Sequence, residues 1–268
     1  MKVVLGIDAA WTEKEPSGIA IIADDGDGWR LIEVAASYRA FLEASDPALP
    51  VLRHRGSIPD AGAIVKAASG KAGARVDLVA IDMPLATSAI AGRRASDNMI
   101  SVAYGARHAG THTPSVTRPG RLSDELRLGF DVVGYPLAVT EIHGRALIEV
   151  YPHPALIELA KAERRLPYKQ SKIAKYWPEV VPGKRRHRLL EVWAEIIRHL
   201  DAEIRGVSAA LSLPPVYARG YELKAFEDVL DAVVCAWVGA CAVDGKAKAY
   251  GDRESAIWVP VRETTTLP

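Results

Sequence analysis

Acidic residues at four positions of the chain are the ones best suited to chemistry. Asp8 and Asp82 each end a short apolar run of the kind that forms a buried strand. Asp228 and Asp231 lie three residues apart in a helical pattern, so they share one face of a helix. Carboxylates that a fold brings together form an oxygen-rich site for hard divalent cations. The sequence therefore predicts a Mg²⁺ or Mn²⁺ site made by Asp8, Asp82 and Asp231, with Asp228 close by.

Such a site suits phosphodiester hydrolysis, which needs a nucleophilic water and a stabilised leaving oxygen. Two cations about 3.5–4 Å apart, clamped by several carboxylates, can supply both. Burying the same carboxylates together without cations would be costly and would raise their pKa values. Other roles stay open for each acid. Asp8 can accept hydrogen bonds from loop N–H groups, Asp82 can begin a turn, and Asp228 can complement a helix dipole.

Glu149 and His153 are two further candidates in one short segment. Glu149 interrupts an apolar strand pattern, and we group it with the predicted catalytic carboxylates. It could be a further metal ligand, a substrate contact or one half of a buried ion pair, and the sequence leaves all three open. His153 follows Pro152 and could donate a proton, although a loop histidine is more often merely exposed.

Basic residues in two segments are predicted to bind an anionic substrate. Arg93 and Arg94 follow Asp82 closely, and arginine grips phosphate in bidentate fashion. Lys169 and Lys172 belong to a second basic run, near the aromatic pair at 176–177. Interleaved bases and aromatics can form a stacking track for a single strand. The alternative in both segments is a solvated helix face.

Composition sets mild bounds on these possibilities. The 268 residues are 49% hydrophobic and 25% charged, as in ordinary globular proteins, and the net charge is +1. Attraction for a nucleic acid would therefore have to come from a local basic groove. No apolar run reaches the roughly 18 residues of a membrane span, and residues 1–7 enter a strand directly, so we expect neither a membrane segment nor a signal peptide. Cys235 and Cys241 are predicted to be small buried hydrophobes in a reducing compartment, which favours the cytoplasm.

The elements that must position these residues follow from periodicity and turn signals. Strands are predicted at 2–8, 18–23 and 29–36 as an antiparallel meander, and further strands at 76–82, 145–151 and 256–261. Helices are predicted near 38–45, 60–72, 91–107, 122–130, 155–163, 184–204 and 222–243. This order indicates an α/β or α+β sheet of about five strands with helices on its faces.

Several segments together resemble ribonuclease-H-like nucleases, including Holliday-junction resolvases. More closely, they resemble an uncharacterised bacterial and archaeal family of predicted nucleases with a ribonuclease-H-like fold. The likeness covers roughly residues 1–245 and is carried by segments 6–8, 17–20, 81–85 and 149–153 and by the acid pair at 228 and 231. It implies a single α/β domain over 1–268, a ribonuclease-H-like mixed sheet with a helical insertion around 86–144. It also implies metal-dependent hydrolysis of a nucleic acid.

Two other function classes remain open at this stage. Actin-like ATPases and sugar kinases place a phosphate-binding turn between the first two strands, but they usually have glycine and hydroxyl residues where this chain has Ala9, Ala10 and Trp11. A non-catalytic binding or regulatory protein could use the same fold. Geometry discriminates between them: a nuclease needs convergent carboxylates that are open to solvent beside a positive groove. In a binding module we expect the carboxylates to be closed off and paired with Arg or Lys.

Overall fold

A mixed β-sheet of seven strands organises the structure, a computed structural model that describes residues 1–43 and 53–261. The strand order is β3-β2-β1-β4-β5-β7-β6. The strands are β1 (Lys2–Asp8), β2 (Gly18–Asp24), β3 (Trp29–Ala35), β4 (Leu78–Asp82), β5 (Ala146–Val150), β6 (Ala247–Gly251) and β7 (Ala256–Pro260).

Strand directions follow the predicted pattern. Strands β1, β2 and β3 are antiparallel neighbours, whereas β4 is parallel to β1 and β5 is parallel to β4. Strand β7 continues the parallel set, and β6 returns antiparallel at the edge. The α/β architecture is therefore confirmed, and β1 lies beside β4. The predicted number of about five strands is wrong, because β7 joins the same sheet and β6 extends it.

Strand β6 was missed for a physical reason. It lies at the sheet edge with one strand neighbour, and its residues are only half-buried or exposed. An edge strand of this kind does not need the apolar run that marks a buried strand. Its sequence, which includes Lys248 and two alanines, therefore carries no strand signal.

Helices cover both faces of the sheet, as predicted. The described helices are α1 (Tyr38–Leu42), α2 (Ala61–Ala72), α3 (Ala95–Tyr104), α4 (Arg121–Val132), α5 (Pro152–Leu159), α6 (Ile173–Tyr176), α7 (Pro182–Glu203), α8 (Val207–Ala210) and α9 (Gly220–Val243). Short 3-10 turns occur at Gly105–Arg107 and Gln170–Lys172. Positions 44–45 of the first predicted helix lie outside the described residues. Helix α5 begins earlier than predicted, on Pro152, because proline suits the first helical turn.

Alternating side chains of the central strands bury two different layers. On one face, residues such as Val4 and Ala80 pack with Leu230 of α9 and Trp193 of α7. On the other face, residues such as Leu5 pack with α1, α2 and α4. Each fully buried Leu or Ile stabilises the fold by about 1.5–3 kcal/mol. No helix among the residues described is both long and apolar enough to cross a lipid bilayer.

Helix α9 approaches the sheet closely because glycines face it. A Cβ atom added at Gly6 would lie 2.2 Å from the carbonyl oxygen of Ala232. One added at Gly18 would lie 2.0 Å from the carbonyl oxygen of Asp228. Gly18 is also the β2 partner of Asp8 in the strand register. The missing side chains therefore bring the backbone of α9 against the strand end that carries Asp8.

The segment between β4 and β5 contributes α3 and α4. Helix α3 packs through Ile100 and Tyr104 against Ile257 and Val259 of β7, and α4 packs through Phe130 into the layer of α1 and α2. That residues 1–268 form a single domain with an insertion around 86–144 stays a prediction. Cys235 is buried in α9 and Cys241 is partly buried, and both are free thiols.

Candidate functional site

Asp8 and Asp82 lie side by side at one edge of the sheet. They are register partners at the ends of the parallel strands β1 and β4. Parallel strands present their carboxyl ends at the same edge, which is where open α/β sheets bind ligands. Both carboxylates line a cavity of about 450 Å³ at this edge.

Helix α9 adds three more carboxylates to this edge. Asp228 lines the same cavity as Asp8 and Asp82. Glu227 and Asp231 are buried one helical turn apart, so they point in the same direction. We call the five acids Asp8, Asp82, Glu227, Asp228 and Asp231 the carboxylate site.

Two lysines contact the carboxylate site. Lys169 forms a short ion pair with Asp231, and its Nζ lies 3.4 Å from Glu227 Oε1. Lys224 forms a short ion pair with Asp228 from one turn earlier in α9. The side chain of Lys224 is 47% exposed, whereas that of Lys169 is 20% exposed. Lys169 is therefore held inside the fold, and Lys224 reaches its partner from solvent.

Neutral donors hold the deeper carboxylates in place. The Tyr168 hydroxyl donates a hydrogen bond to Asp231 Oδ1 at 2.8 Å. The backbone N–H of Gln170 donates to Glu227 Oε2 at 2.6 Å. The segment 168–170 thus covers Asp231 and Glu227, while Asp8, Asp82 and Asp228 face the cavity.

Negative charge exceeds positive charge at the carboxylate site. Five carboxylates face two ammonium groups there. Burial raises the pKa of Asp8, and the charge of Asp231 raises it further. Burial also raises the pKa values of Asp82 and Asp228 well above their usual range, and the charge of Asp8 adds to this effect. The buried Asp228 Oδ2 also has no hydrogen-bond partner among the described residues. Such an arrangement is stabilised by protons or by cations.

The donor chemistry of the site fits a hard divalent cation, since all the candidate ligands are carboxylate oxygens. Within residues 1–43 and 53–261, no three His, Cys, Asp or Glu side chains are placed to hold one metal ion as they stand. Asp231 is already paired with Lys169, and Asp228 is already paired with Lys224. Binding of a cation by Asp8, Asp82 and Asp228 therefore requires the half-exposed Lys224 to move aside.

Basic and aromatic residues also line the cavity. Trp11, His112, Thr113 and Arg118 belong to its lining, together with the acid Glu15. The Arg118 guanidinium lies 5.7 Å from the centre of the Trp11 ring. Burial, together with the charges of Lys172 and other nearby bases, lowers the pKa of His112. Acidic and basic groups thus share one cavity.

Glu149 lies outside this cavity, in a buried ion pair. Its Oε1 accepts a hydrogen bond from Arg94 Nη2 at 2.7 Å, and its Oε2 accepts one from the Leu85 N–H at 2.7 Å. Arg94 also bonds Asp97 at 2.9 Å. Burial raises the pKa of Glu149 to about 7, although the Arg94 guanidinium opposes this shift. Of the three roles that the sequence left open for Glu149, the structure shows the ion pair. We call Arg94, Asp97 and Glu149 the Arg94 cluster.

The remaining predicted residues lie around the site. Arg93 donates to Asn98 Oδ1 at 2.7 Å and to Thr113 Oγ1 at 3.1 Å, so it ties the start of α3 to the cavity wall. Lys172 lines a second cavity next to the first. His153 is buried and not exposed: its pKa is held well below the usual range by burial, and its ring stacks edge-on against Tyr168 at 5.4 Å.

Comparison with known proteins places the chain in a family. A family model described as a protein of unknown function, DUF429, matches residues 6–255. The chain belongs to this family. No curated protein and no solved structure matches the chain. The predicted membership of an uncharacterised family is confirmed, and the matched range includes every residue of the carboxylate site.

Several residues of the site were not predicted from the sequence. Glu227 and Lys224 each lie four residues before an acid of α9, so helical periodicity could have found them. His112 and Arg118 lie in the loop between α3 and α4, where no pattern in the sequence marks them. In the sequence, Trp11 indicates only a poor fit to a phosphate-binding turn, whereas in the structure it lines the cavity.

Proposed function

We propose that the protein is a metal-dependent nuclease that hydrolyses phosphodiester bonds with Mg²⁺ or Mn²⁺ bound at Asp8, Asp82 and Asp228. The observation that carries the proposal is the charge imbalance: five carboxylates face two lysines, and three of the acids line an open cavity. The Arg94 cluster also has more acids than bases, but all of its carboxylate oxygens accept hydrogen bonds, whereas Asp228 Oδ2 has no partner among the described residues and suits a cation. The reducing environment of the cytoplasm suits the two free cysteines.

The sheet supports the same proposal. The first three strands are antiparallel and the next two are parallel to β1, the arrangement that the ribonuclease-H-like resemblance implies. The acids that this resemblance assigns to metal binding lie at the ends of β1 and β4 and on a late helix. The glycines at 6 and 18 give that helix its close approach to the sheet.

Residues of the cavity have complementary roles in this mechanism. Bound divalent cations would activate a water and stabilise the leaving oxygen. Asp8, Asp82 and Asp228 would hold the cations, and Lys224 neutralises Asp228. Arg118, which lines the same cavity, grips non-bridging phosphate oxygens. Trp11, beside Arg118, offers a face on which a base can stack.

An assay over several substrates tests the proposal. The full-length protein is incubated with Mg²⁺ or Mn²⁺ and single-stranded, duplex, hybrid and branched nucleic acids. We expect cleavage of at least one substrate, and its loss in Asp8→Asn, which keeps the shape of the side chain but removes its charge. Asp27→Asn, in the exposed turn between β2 and β3, is the matched control. Equal cleavage by Asp8→Asn, or by the wild type in excess chelator, would exclude the mechanism.

A second candidate function is supported by the lysine contacts. Because Asp228 and Asp231 are already paired with lysines, a non-catalytic module that binds anions through Arg118 and Lys172 also fits the geometry. Such a module would bind the same nucleic acids without hydrolysing any of them, with or without divalent cations. The actin-like or sugar-kinase alternative has no comparable observation in its favour.

A further inference from the structure

A second cavity, of about 1150 Å³, lies beside the carboxylate site and has a strongly basic lining. It is formed between the end of α3 and the segment 162–176. Its charged residues are Arg164, Arg165, Lys172 and Lys175, against one acid, Glu163. We call it the basic cavity. A concave surface with this charge attracts anions and raises their local concentration.

Arg165 has no acidic partner among the described residues, and the polar group beside its guanidinium is the neutral Tyr176 hydroxyl. The Nε and Nη2 atoms of Arg165 are shielded from water and have no hydrogen-bond partner among the described residues. Its own backbone N–H is bound to the carbonyl oxygen of Arg107 at 2.9 Å, so the residue is fixed in place. Buried charged donors without an acceptor are costly, and they indicate an anionic ligand. The planar guanidinium fork matches the oxygens of a phosphate group.

The basic cavity adjoins the carboxylate site. Lys172 ends the 3-10 turn that directly follows Lys169, the lysine paired with Asp231. His112 lines the cavity of the carboxylate site, and the charges of Lys172 and Arg165 add to burial in lowering the pKa of its imidazole. A chain of phosphates can therefore extend from one cavity into the other.

Aromatic surface accompanies the charge. Tyr176 lines the basic cavity, and its ring contacts Trp177 edge to face at 5.7 Å. A base can stack on such a ring only when it is unpaired from a complementary strand. The combination of concave shape, arginine fork and aromatic ring therefore favours a single strand over a rigid duplex.

We propose that the basic cavity binds phosphate groups of a single nucleic-acid strand next to the bond that the carboxylate site cleaves. The proposal rests on the proposed nuclease function for the position of the scissile bond. It identifies the substrate class as a single-stranded oligonucleotide longer than a dinucleotide. Arg165 and Lys175 would bind the strand without taking part in the chemical step.

Two measurements separate this proposal from the function itself. The first is Mn²⁺-dependent hydrolysis of bis(p-nitrophenyl) phosphate, a single phosphodiester too small to occupy both cavities. The second is binding of fluorescent single strands of increasing length to the protein in the Asp8→Asn background. The variants are Arg165→Gln and Lys175→Gln, and the control is Arg198→Gln on the exposed side of α7. Thermal melting checks that each variant is folded, and Lys175 is exposed, so its substitution spares the core.

We expect both variants to hydrolyse the small diester at the wild-type rate. Arg165→Gln should weaken binding of a long strand roughly tenfold, as expected for loss of a charged hydrogen bond. The logarithm of the binding constant should also depend less steeply on the logarithm of salt concentration, with a slope smaller by about one. Strands too short to reach the basic cavity should bind the wild type and Arg165→Gln with the same affinity. Wild-type binding by both variants would overturn the proposal, as would tight binding of inorganic phosphate with no dependence on strand length. Failure of the wild type to hydrolyse the small diester would count against the nuclease function alone, since strand binding is measured separately.

Discussion

Two clusters of buried charge lie near the same sheet edge, and they differ in how fully their carboxylate oxygens are hydrogen-bonded. In the Arg94 cluster, one guanidinium bonds both Asp97 and Glu149, and the N–H of Leu85 satisfies a further oxygen. In the carboxylate site, five acids share two lysines around an open cavity. In the closed Arg94 cluster every carboxylate oxygen accepts a hydrogen bond, so these acids help to hold the fold together. In the carboxylate site, Asp228 keeps an oxygen without a partner among the described residues, and it does so beside a cavity.

Removing Arg94 should have the largest effect on stability. Arg94→Met leaves Glu149 and Asp97 buried without their cation, and breaking such a pair costs about 3–5 kcal/mol. Urea denaturation should show this loss as a lower midpoint. Arg198→Gln is the control, because Arg198 is exposed on α7 and its loss should cost less than about 1 kcal/mol. Equal stability of the two variants would remove the distinction between the clusters.

The approach of α9 to the sheet should be the next most sensitive feature. Gly18→Ala places a methyl group against the backbone of Asp228, so we expect a loss of about 1–3 kcal/mol from overpacking. The rate of hydrolysis should fall by more than the loss of folded protein explains, since Asp228 moves away from Asp8. Gly70→Ala in α2 is the control: Gly70 has open space around it, and alanine there should stabilise the helix by about 0.5–1 kcal/mol. A Gly18→Ala variant with full activity would show that this close approach does not matter.

The same comparison shows what the sequence could and could not predict. Asp8 and Asp82 were identifiable because each ends an apolar run, and their meeting depends on the parallel pairing of β1 with β4, which the structure shows. The pairing of Arg94 with Glu149 joins residues 55 positions apart, and that of Lys169 with Asp231 joins residues 62 apart. No local pattern records such contacts, because they depend on how helices and loops pack on the finished sheet. The hydrogen-bond partners of the acids, which distinguish the two clusters, were therefore visible only in the structure.

Divalent cations should stabilise the carboxylate site and leave the Arg94 cluster unchanged. At a Mg²⁺ or Mn²⁺ concentration about ten times the dissociation constant, binding adds about 1.4 kcal/mol to the free energy of unfolding. For a chain of this size, that corresponds to a rise in melting temperature of roughly 3–5 °C. Asp8→Asn should abolish the rise, whereas Arg94→Met, melting at a lower temperature, should keep it. A rise of the same size in Asp8→Asn would place the cation elsewhere.

The smallest expected effect is a gain in stability when one charge of the carboxylate site is removed. Burial and mutual repulsion raise the pKa values of Asp8, Asp82 and Asp228 above the ordinary value of 3.8. The folded chain therefore binds more protons than the unfolded chain at pH values above about 3.8. Without divalent cations, the free energy of unfolding should fall as the pH rises from this value through the raised pKa values of the folded chain. Asp8→Asn removes one of the repelling charges. It should raise stability at neutral pH by up to about 1 kcal/mol and flatten the dependence on pH. Urea denaturation at several pH values, with Asp27→Asn as the control, measures both effects. An Asp8→Asn variant less stable than the wild type at neutral pH would mean that this carboxylate is a structural acceptor, like those of the Arg94 cluster.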